Sequence, residues 1–204
     1  MYKILIIGSN GYIGRPLTNI LRKKYKLVLP SHRFSQIDVL KKNSLAKYIK
    51  KDIDIIINLS GQVTEKKIFK NIILDGNKNI IDLINNVKKE IIYIFVSSCL
   101  IYGYKSFPAK EDTKLTPVSS YAKYKYKAEN YIKKHGKNFR ILRIANVYGD
   151  SYMNGFFKKI FFSIFKKKKI CFSNLSTRRN VIHLDDVTKS IDIIIRNKKL
   201  SKLD

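Results

Sequence analysis

Five short, almost wholly apolar runs, Lys3–Ile7, Leu27–Leu29, Ile53–Leu59, Ile91–Val96 and Phe139–Ile144, alternate with segments whose apolar residues recur at helical spacing. Strands apolar on both faces must be covered on both sides, and a parallel sheet with helices over each face does this. Ile13, Leu17, Ile20 and Leu21 fall on one face of a first helix; Ile72, Ile73, Ile80, Leu83, Ile84 and Val87 fall on one face of a longer one. Asn43 or Ser44 is placed to cap a short helix reaching Lys51. The pattern predicts a doubly wound α/β domain over residues 1–150, with a smaller lobe over 151–204. In that lobe, Gly155 to Lys169 sets Phe156, Phe157, Ile160, Phe161, Ile164 and Phe165 on one helical face ahead of four lysines. The plain reading is a helix packed on the sheet domain. A basic amphipathic helix on a membrane surface is the other.

Composition narrows the setting. A hydrophobic share of 45% over 204 residues supports a packed core. The apolar runs are too short to span a bilayer, so no transmembrane segment is expected. The first strand starts at Lys3 and ends on glycine without a cleavage site, so no signal peptide is expected either. Cys99 and Cys171 show neither metal-binding nor disulfide spacing, which suits a reducing, cytoplasmic location. A net charge of +27 would match a phosphate backbone or an anionic surface. The lysines, however, are scattered over nearly every segment. Solvated helix faces explain most of them, attraction of anionic substrates comes second, and no specific nucleic-acid partner is expected.

The stretch Gly8-Ser9-Asn10-Gly11-Tyr12-Ile13-Gly14 follows the first strand and opens the first helix. That placement carries more weight than the glycines themselves. The first glycine permits a tight turn, the second lets backbone N–H groups approach a pyrophosphate, and the third lets helix and strand pack closely. The helix N-terminus then offers partial positive charge to the phosphates.

The G-x-x-G-x-x-G spacing resembles the extended short-chain dehydrogenase family, the NAD-dependent epimerases and dehydratases, which act on sugar nucleotides. Further motifs extend the likeness along most of the chain. Val96-Ser97-Ser98-Cys99-Leu100-Ile101-Tyr102-Gly103 resembles the family's Ser-Ser-x-x-Val-Tyr-Gly segment, and Tyr121-Ala122-Lys123-Tyr124-Lys125 its Tyr-x-x-x-Lys pair. Leu142-Arg143-Ile144-Ala145-Asn146-Val147-Tyr148-Gly149 and Arg179-Asn180-Val181-Ile182-His183-Leu184-Asp185-Asp186-Val187 match two more. In a chain so rich in lysine a Tyr-x-x-x-Lys pair arises by chance; its position after the strand-like run Ile91–Val96 and its loop, with Pro117 and Ser119-Ser120 favouring helix initiation, gives it meaning.

The resemblance implies a Rossmann-like fold and a catalytic set of Ser98, Tyr121 and Lys125, with Ser97 as the alternative serine. It implies dinucleotide contacts from Gly8, Asn10, Gly11, Tyr12, Ile13, Gly14, Asp38, Val39, Leu59, Ser60, Gly61 and Lys125. Asp38, after a short third strand, matches an aspartate near the adenine. It implies substrate contacts from Ser98, Asn146 and, at the nucleotide diphosphate, Arg179. Lys125 and the nicotinamide charge are expected to draw the Tyr121 phenol down toward neutrality. The second strand leads into Pro30-Ser31-His32-Arg33 with no acid for a ribose 2′-hydroxyl, so Arg33 is a candidate for a 2′-phosphate and NADP is favoured over NAD; Arg33 as one more surface cation is the other reading. His183 reads as structural, and no metal is expected. Ile73-Leu74-Asp75-Gly76-Asn77 lacks the asparagine of the family's Asn-x-x-Gly-Thr, and Cys99-Leu100 replace the Asp-Glu pair of the 4,6-dehydratases, which argues against dehydration. The implied function is a nucleotide-sugar epimerase or 4-ketoreductase, with a homodimer left open. The contrasting reading is a nucleotide-binding scaffold without turnover, to which the short C-terminal lobe would belong.

Overall fold

The structure, a computed structural model, describes residues 1–61, 70–104, 108–149, 155–170 and 179–197. Strands β1 (Lys3–Ile7), β2 (Lys26–Val28), β3 (Ile55–Asn58), β4 (Ile92–Ser98) and β5 (Phe139–Ile144) form one parallel sheet in the order β2-β1-β3-β4-β5. Register follows the apolar runs: Leu5 lies between Val28 and Ile56, and Ile57 lies opposite Ile94. Alternation along the strands then divides the core in two. Leu5, Ile7, Ile56, Tyr93 and Phe95 face α3 (Gly76–Asn86) and α4 (Ser120–His135), meeting Ile80, Ile84, Ala128 and Ile132. Ile4, Ile6, Ile55, Ile57, Ile94 and Val96 face α1 (Gly14–Leu21) and α6 (Leu184–Arg196), meeting Leu17, Leu21, Val187 and Ile191. Each such aliphatic side chain contributes about 1.5–3 kcal/mol on burial, and this dominates what holds the layers together.

Three local outcomes differ from the sequence reading. The short strand expected before Asp38 does not form; the segment is a loop. The Asp38 N–H donates to Ser44 Oγ at 3.0 Å, and Asp38 Oδ1 accepts from the Leu40 N–H at 2.9 Å. Helix α2 (Lys42–Ala46) is shorter than expected and has no side-chain cap, because its cap position falls on Lys41, with Asn43 and Ser44 inside the helix. The long third helix begins as a π-turn, Lys70–Asp75, before α3 proper. By contrast α4 starts as its sequence suggests, with Ser119 Oγ accepting from the Ala122 N–H at 3.2 Å.

Beyond the sheet, β6 (Asn146–Tyr148) pairs in parallel with β7 (Val181–His183). His183 then caps α6, its Nδ1 accepting from the Asp185 N–H at 3.2 Å, with Asp185 and Asp186 in the first turn where the helix dipole favours them. His183 therefore has a structural role. Helix α5 (Gly155–Phe165) forms, and Phe157 packs on the Tyr148 ring at 5.7 Å between centroids. Its outer face is open, however: Phe161, Ile164 and Phe165 are exposed, Phe165 to 85%. The packing expected of that face is therefore only partial. No helix among the described residues is long and apolar enough to cross a membrane.

Candidate active site

The chain leaves β1 toward β2 on one side, and the strand that pairs with the other side of β1 is β3. This reversal of strand order opens a crevice outside the carboxyl ends of the two strands, the place where open α/β sheets take ligands. The glycine turn lines it. Gly8 has φ +86°, a conformation that costs glycine little, and the Gly11 N–H donates to Gly8 O at 3.0 Å. A Cβ on Gly14 would lie 2.2 Å from Gly8 O, so helix and turn meet with no room for a side chain. The fit of this cradle to a pyrophosphate rests on that close approach and on the N-terminus of α1, which opens directly from the turn without a side-chain cap.

Asn10 Nδ2 donates to Ser31 Oγ at 2.7 Å, tying the turn to the end of β2, and Arg15 Nε donates to Asn10 O at 3.0 Å. A hollow of about 370 Å³ lies beside them, lined by Ser9, Asn10, Arg15, Arg22 and Leu29 among others. Arg33 sits in a 3₁₀ turn, His32–Phe34, near this end; its side chain lies outside the described residues. Val39 is buried and packs against Gly76, where a Cβ would come within 2.9 Å of it.

On the β3–β4 side, Tyr121 and Lys125 lie one turn apart on α4, facing the sheet. Lys125 is buried; its ammonium donates to Val96 O at 2.7 Å and lies 4.6 Å from the Phe95 ring centroid and 5.8 Å from that of Tyr121. Burial pulls the Lys125 pKa down to about 8, against the opposing pull of the Glu129 carboxylate. Burial also pushes the Tyr121 phenol up to about 12, and the neighbouring Cys99 thiol adds to that. The expected lowering of the phenol by Lys125 is thus not found here: both influences on Tyr121 raise it. The Leu59–Gly61 turn completes the cluster, for a Cβ on Gly61 would be 3.7 Å from the Lys125 nitrogen.

Ser98 ends β4 with its hydroxyl accepting from the Leu100 N–H at 3.3 Å, capping the turn Cys99–Tyr102. That turn brings Cys99 beside Tyr121. Ser97, its neighbour, has a buried hydroxyl without a hydrogen-bond partner. The substrate candidates Asn146 and Arg179 come together at the β6–β7 pair: Asn146 Nδ2 donates to Asn180 O at 2.9 Å, and Arg179, next in the chain, is exposed. Tyr12 reaches across from the glycine turn, its hydroxyl donating to Gly149 O. Among the described residues no group of three or more His, Cys, Asp or Glu side chains is placed to hold a metal.

Sequence reasoning missed a buried support beneath the cluster. Glu129, one turn beyond Lys125, pairs with Arg143 at 2.9 Å with both side chains almost fully covered. Arg143 also donates to the Tyr102 hydroxyl at 3.0 Å and to Glu111 O at 3.1 Å. One motif therefore braces two others. The hint was present, since Arg143 and Tyr102 both stand inside motif segments, but their partnership is set by β4–β5 pairing rather than by any local pattern.

Comparison with known proteins agrees with this fold. The model of the NAD-dependent epimerase/dehydratase family matches residues 4–202. A protein of Methanocaldococcus jannaschii, provisionally named UDP-glucose 4-epimerase, is 27% identical over 172 residues, covering 72% of this chain and 56% of its own. The dTDP-D-glucose 4,6-dehydratase of Dictyostelium discoideum is 25% identical, covering 98% of this chain and 57% of its own. The chain thus spans just over half the length of these relatives. Among solved structures, UDP-glucuronic acid 4-epimerase from Bacillus cereus, in complex with UDP-glucuronic acid and NAD, superposes with a TM-score of 0.83 at 21% identity, over 96% of this chain and 74% of that one. RMD from Pseudomonas aeruginosa, complexed with NADPH, gives 0.77 at 19% identity over 94% and 71%. With the glycine turn, the parallel sheet and a family match over nearly its whole length, the chain belongs to the NAD-dependent epimerase/dehydratase family.

Proposed function

We propose that the protein binds NADP, or NAD as the second choice, and remodels a nucleotide-linked sugar by epimerisation or net reduction at a keto centre, with C4 the favoured carbon. The observation that carries this reading is the meeting of Tyr121, Lys125, Gly61 and the Ser98 turn on one side of the crevice opened by the glycine turn. Gly8, Asn10, Gly11, Tyr12, Ile13 and Gly14 would hold the dinucleotide phosphates, Asp38 and Val39 the adenine end, and Leu59 to Gly61 with Lys125 the nicotinamide ribose. When bound, the nicotinamide supplies hydride acceptance or donation at the sugar carbon. Ser98 orients the reacting oxygen and Tyr121 moves its proton. Because burial holds that phenol high, Tyr121 needs cationic charge beside it to work as a base near neutrality, and Lys125 is the residue placed to provide it. Asn146 and Arg179 would meet the sugar and the diphosphate.

NADP is favoured because β2 is followed by no acid, and Ser31, hydrogen-bonded to Asn10, stands with Arg33 near where a 2′-phosphate would sit. Both cofactors occur among the similar structures. We further propose that residues 1–150 carry the dinucleotide and residues 151–204 face the substrate. A cytoplasmic enzyme supplying precursors of a surface polysaccharide, with a homodimer as its assembly, fits this reading. The test is a fluorescence titration with NADPH and NADH, followed by nucleotide 4-ketosugars while nicotinamide absorbance is recorded. Cofactor binding with turnover on one sugar supports the enzyme; binding with silence on all of them replaces it with a nucleotide-binding scaffold.

A further inference from the structure

A buried polar cluster lies beneath the Leu59–Gly61 turn. Asn58, Asn77 and Tyr93 are all but inaccessible to solvent. Asn58 Nδ2 donates to the Tyr93 hydroxyl at 2.9 Å and to Asn77 Oδ1 at 3.2 Å, and the Tyr93 hydroxyl donates in turn to Asn77 Oδ1. Asn77 Nδ2 donates to Ile73 O, within the π-turn, at 2.5 Å. Polar groups buried this deeply must pair, and here the three side chains close a ring of bonds that orients the Asn58 amide. The remaining side of Asn58 faces the crevice: its Oδ1 accepts from both the N–H of Ser60 at 2.9 Å and its hydroxyl at 2.6 Å.

We infer that Asn58 is a positioning residue for the dinucleotide, acting through Ser60. With its proton directed inward to Asn58, the Ser60 oxygen meets the crevice with lone pairs alone. That suits a hydroxyl donor and repels a phosphate oxygen. Lys125, beside Gly61, is the complementary group, an ammonium that donates only. Adjacent ribose hydroxyls both donate and accept, so a sugar diol bridges a lone-pair acceptor and a donor set side by side. The same two bonds hold the backbone of the turn against Gly8, where a Cβ would come within 3.1–3.2 Å of Leu59 and Ser60. This inference rests on the proposal that the crevice takes NAD(P).

The experiment compares Asn58→Leu, Ser60→Ala and Tyr93→Phe with wild type, by NADH and NADPH fluorescence titration and by thermal melting. Asn58→Leu is expected to weaken both cofactors alike by about tenfold or more, the loss that follows from removing one or two hydrogen bonds at a polar ligand. Tyr93→Phe cuts two bonds inside the cluster but leaves both Asn58–Ser60 bonds, so it should melt earlier yet bind with wild-type affinity. That split is the readout a purely structural role would not produce. Wild-type affinity in Asn58→Leu overturns the inference, as does a loss of affinity in Tyr93→Phe that tracks its loss of melting temperature as it does in Asn58→Leu. Should Asn58→Leu not fold, Ser60→Ala decides: weakened binding of both cofactors supports the inference and unchanged binding overturns it. A wild type that binds neither cofactor overturns the dinucleotide reading together with this inference, whereas normal wild-type binding with an indifferent Asn58→Leu overturns this inference alone.

Discussion

The Lys125 ammonium rests on a backbone carbonyl in a place where burial disfavours its charge, and a pH dependence follows. Its pKa falls from the ordinary lysine range to about 8 in the folded chain, so above that pH the unfolded chain binds more protons than the folded one. Stability should therefore rise as pH climbs from 8 toward the unfolded lysine value, by about 2 kcal/mol up to roughly pH 9.5. Lys125→Met should lack this rise when denaturant midpoints of the two proteins are compared across that window. Tyr121 works the other way, since its raised pKa costs stability only above the ordinary tyrosine value, outside the window. In turnover, Tyr121→Phe should keep cofactor affinity and lose activity by about 10²–10⁴-fold, the usual contribution of a positioned acid–base group; Lys125→Met should lose both. At the other end of the crevice, Arg33→Ala should weaken NADPH by roughly 1.5–3 kcal/mol and leave NADH almost unchanged, measured by the same titration. The tyrosine and lysine were legible because a four-residue spacing on a helix is a local pattern. Glu129, Arg143 and Asn58 were not, because their partners lie on other strands and helices and only the folded sheet brings them together.

Among the elements, the turn from β1 into α1 was read most fully from the sequence, and its glycines differ in what they tolerate. A Cβ on Gly14 would meet Gly8 O at 2.2 Å and Ser9 at 2.7 Å, all backbone, whereas one on Gly11 meets only Gly8 O at 3.2 Å. Gly14→Ala is therefore expected to force β1 and α1 apart, seen as a large fall in melting temperature or loss of soluble protein. Gly11→Val should give a folded protein whose far-ultraviolet circular dichroism matches wild type but which no longer enhances NAD(P)H fluorescence, because its side chain stands where the pyrophosphate approaches. Retained binding in that variant would remove the phosphate-turn assignment. The missing strand before Asp38 and the π-turn before α3 show where local pattern runs out. Apolar periodicity marks which residues are buried, and Ile37 and Ile73 are buried as it suggests, but it does not fix which backbone hydrogen bonds they adopt. Side-chain bonds from Ser44 and Asn77 settle those locally.

For the whole molecule, the sheet and its layers were legible because five apolar runs leave few ways to cover both faces. How the last helix is used was not. Helix α6 lies on the face formed by Ile4, Ile6 and Leu17, and Lys24, in the turn between α1 and β2, pairs with Asp192 at 2.6 Å, 168 residues apart in sequence. A chain ending at Gly149 should therefore bind a hydrophobic dye such as ANS strongly, where the longer chain does not beyond what the exposed α5 ring cluster accounts for. The same contact has a temporal meaning. A ribosome releases β1 and α1 first, yet the second helix of that layer emerges only after residues up to Ile195, so one face of the nascent sheet, with α1 alone on it, waits half covered through most of synthesis. Contacts this distant along the chain form slowly, because a long loop must close before they repay it. Refolding should accordingly end with the docking of α6, and this interval is when the protein is most open to aggregation or to capture by a chaperone.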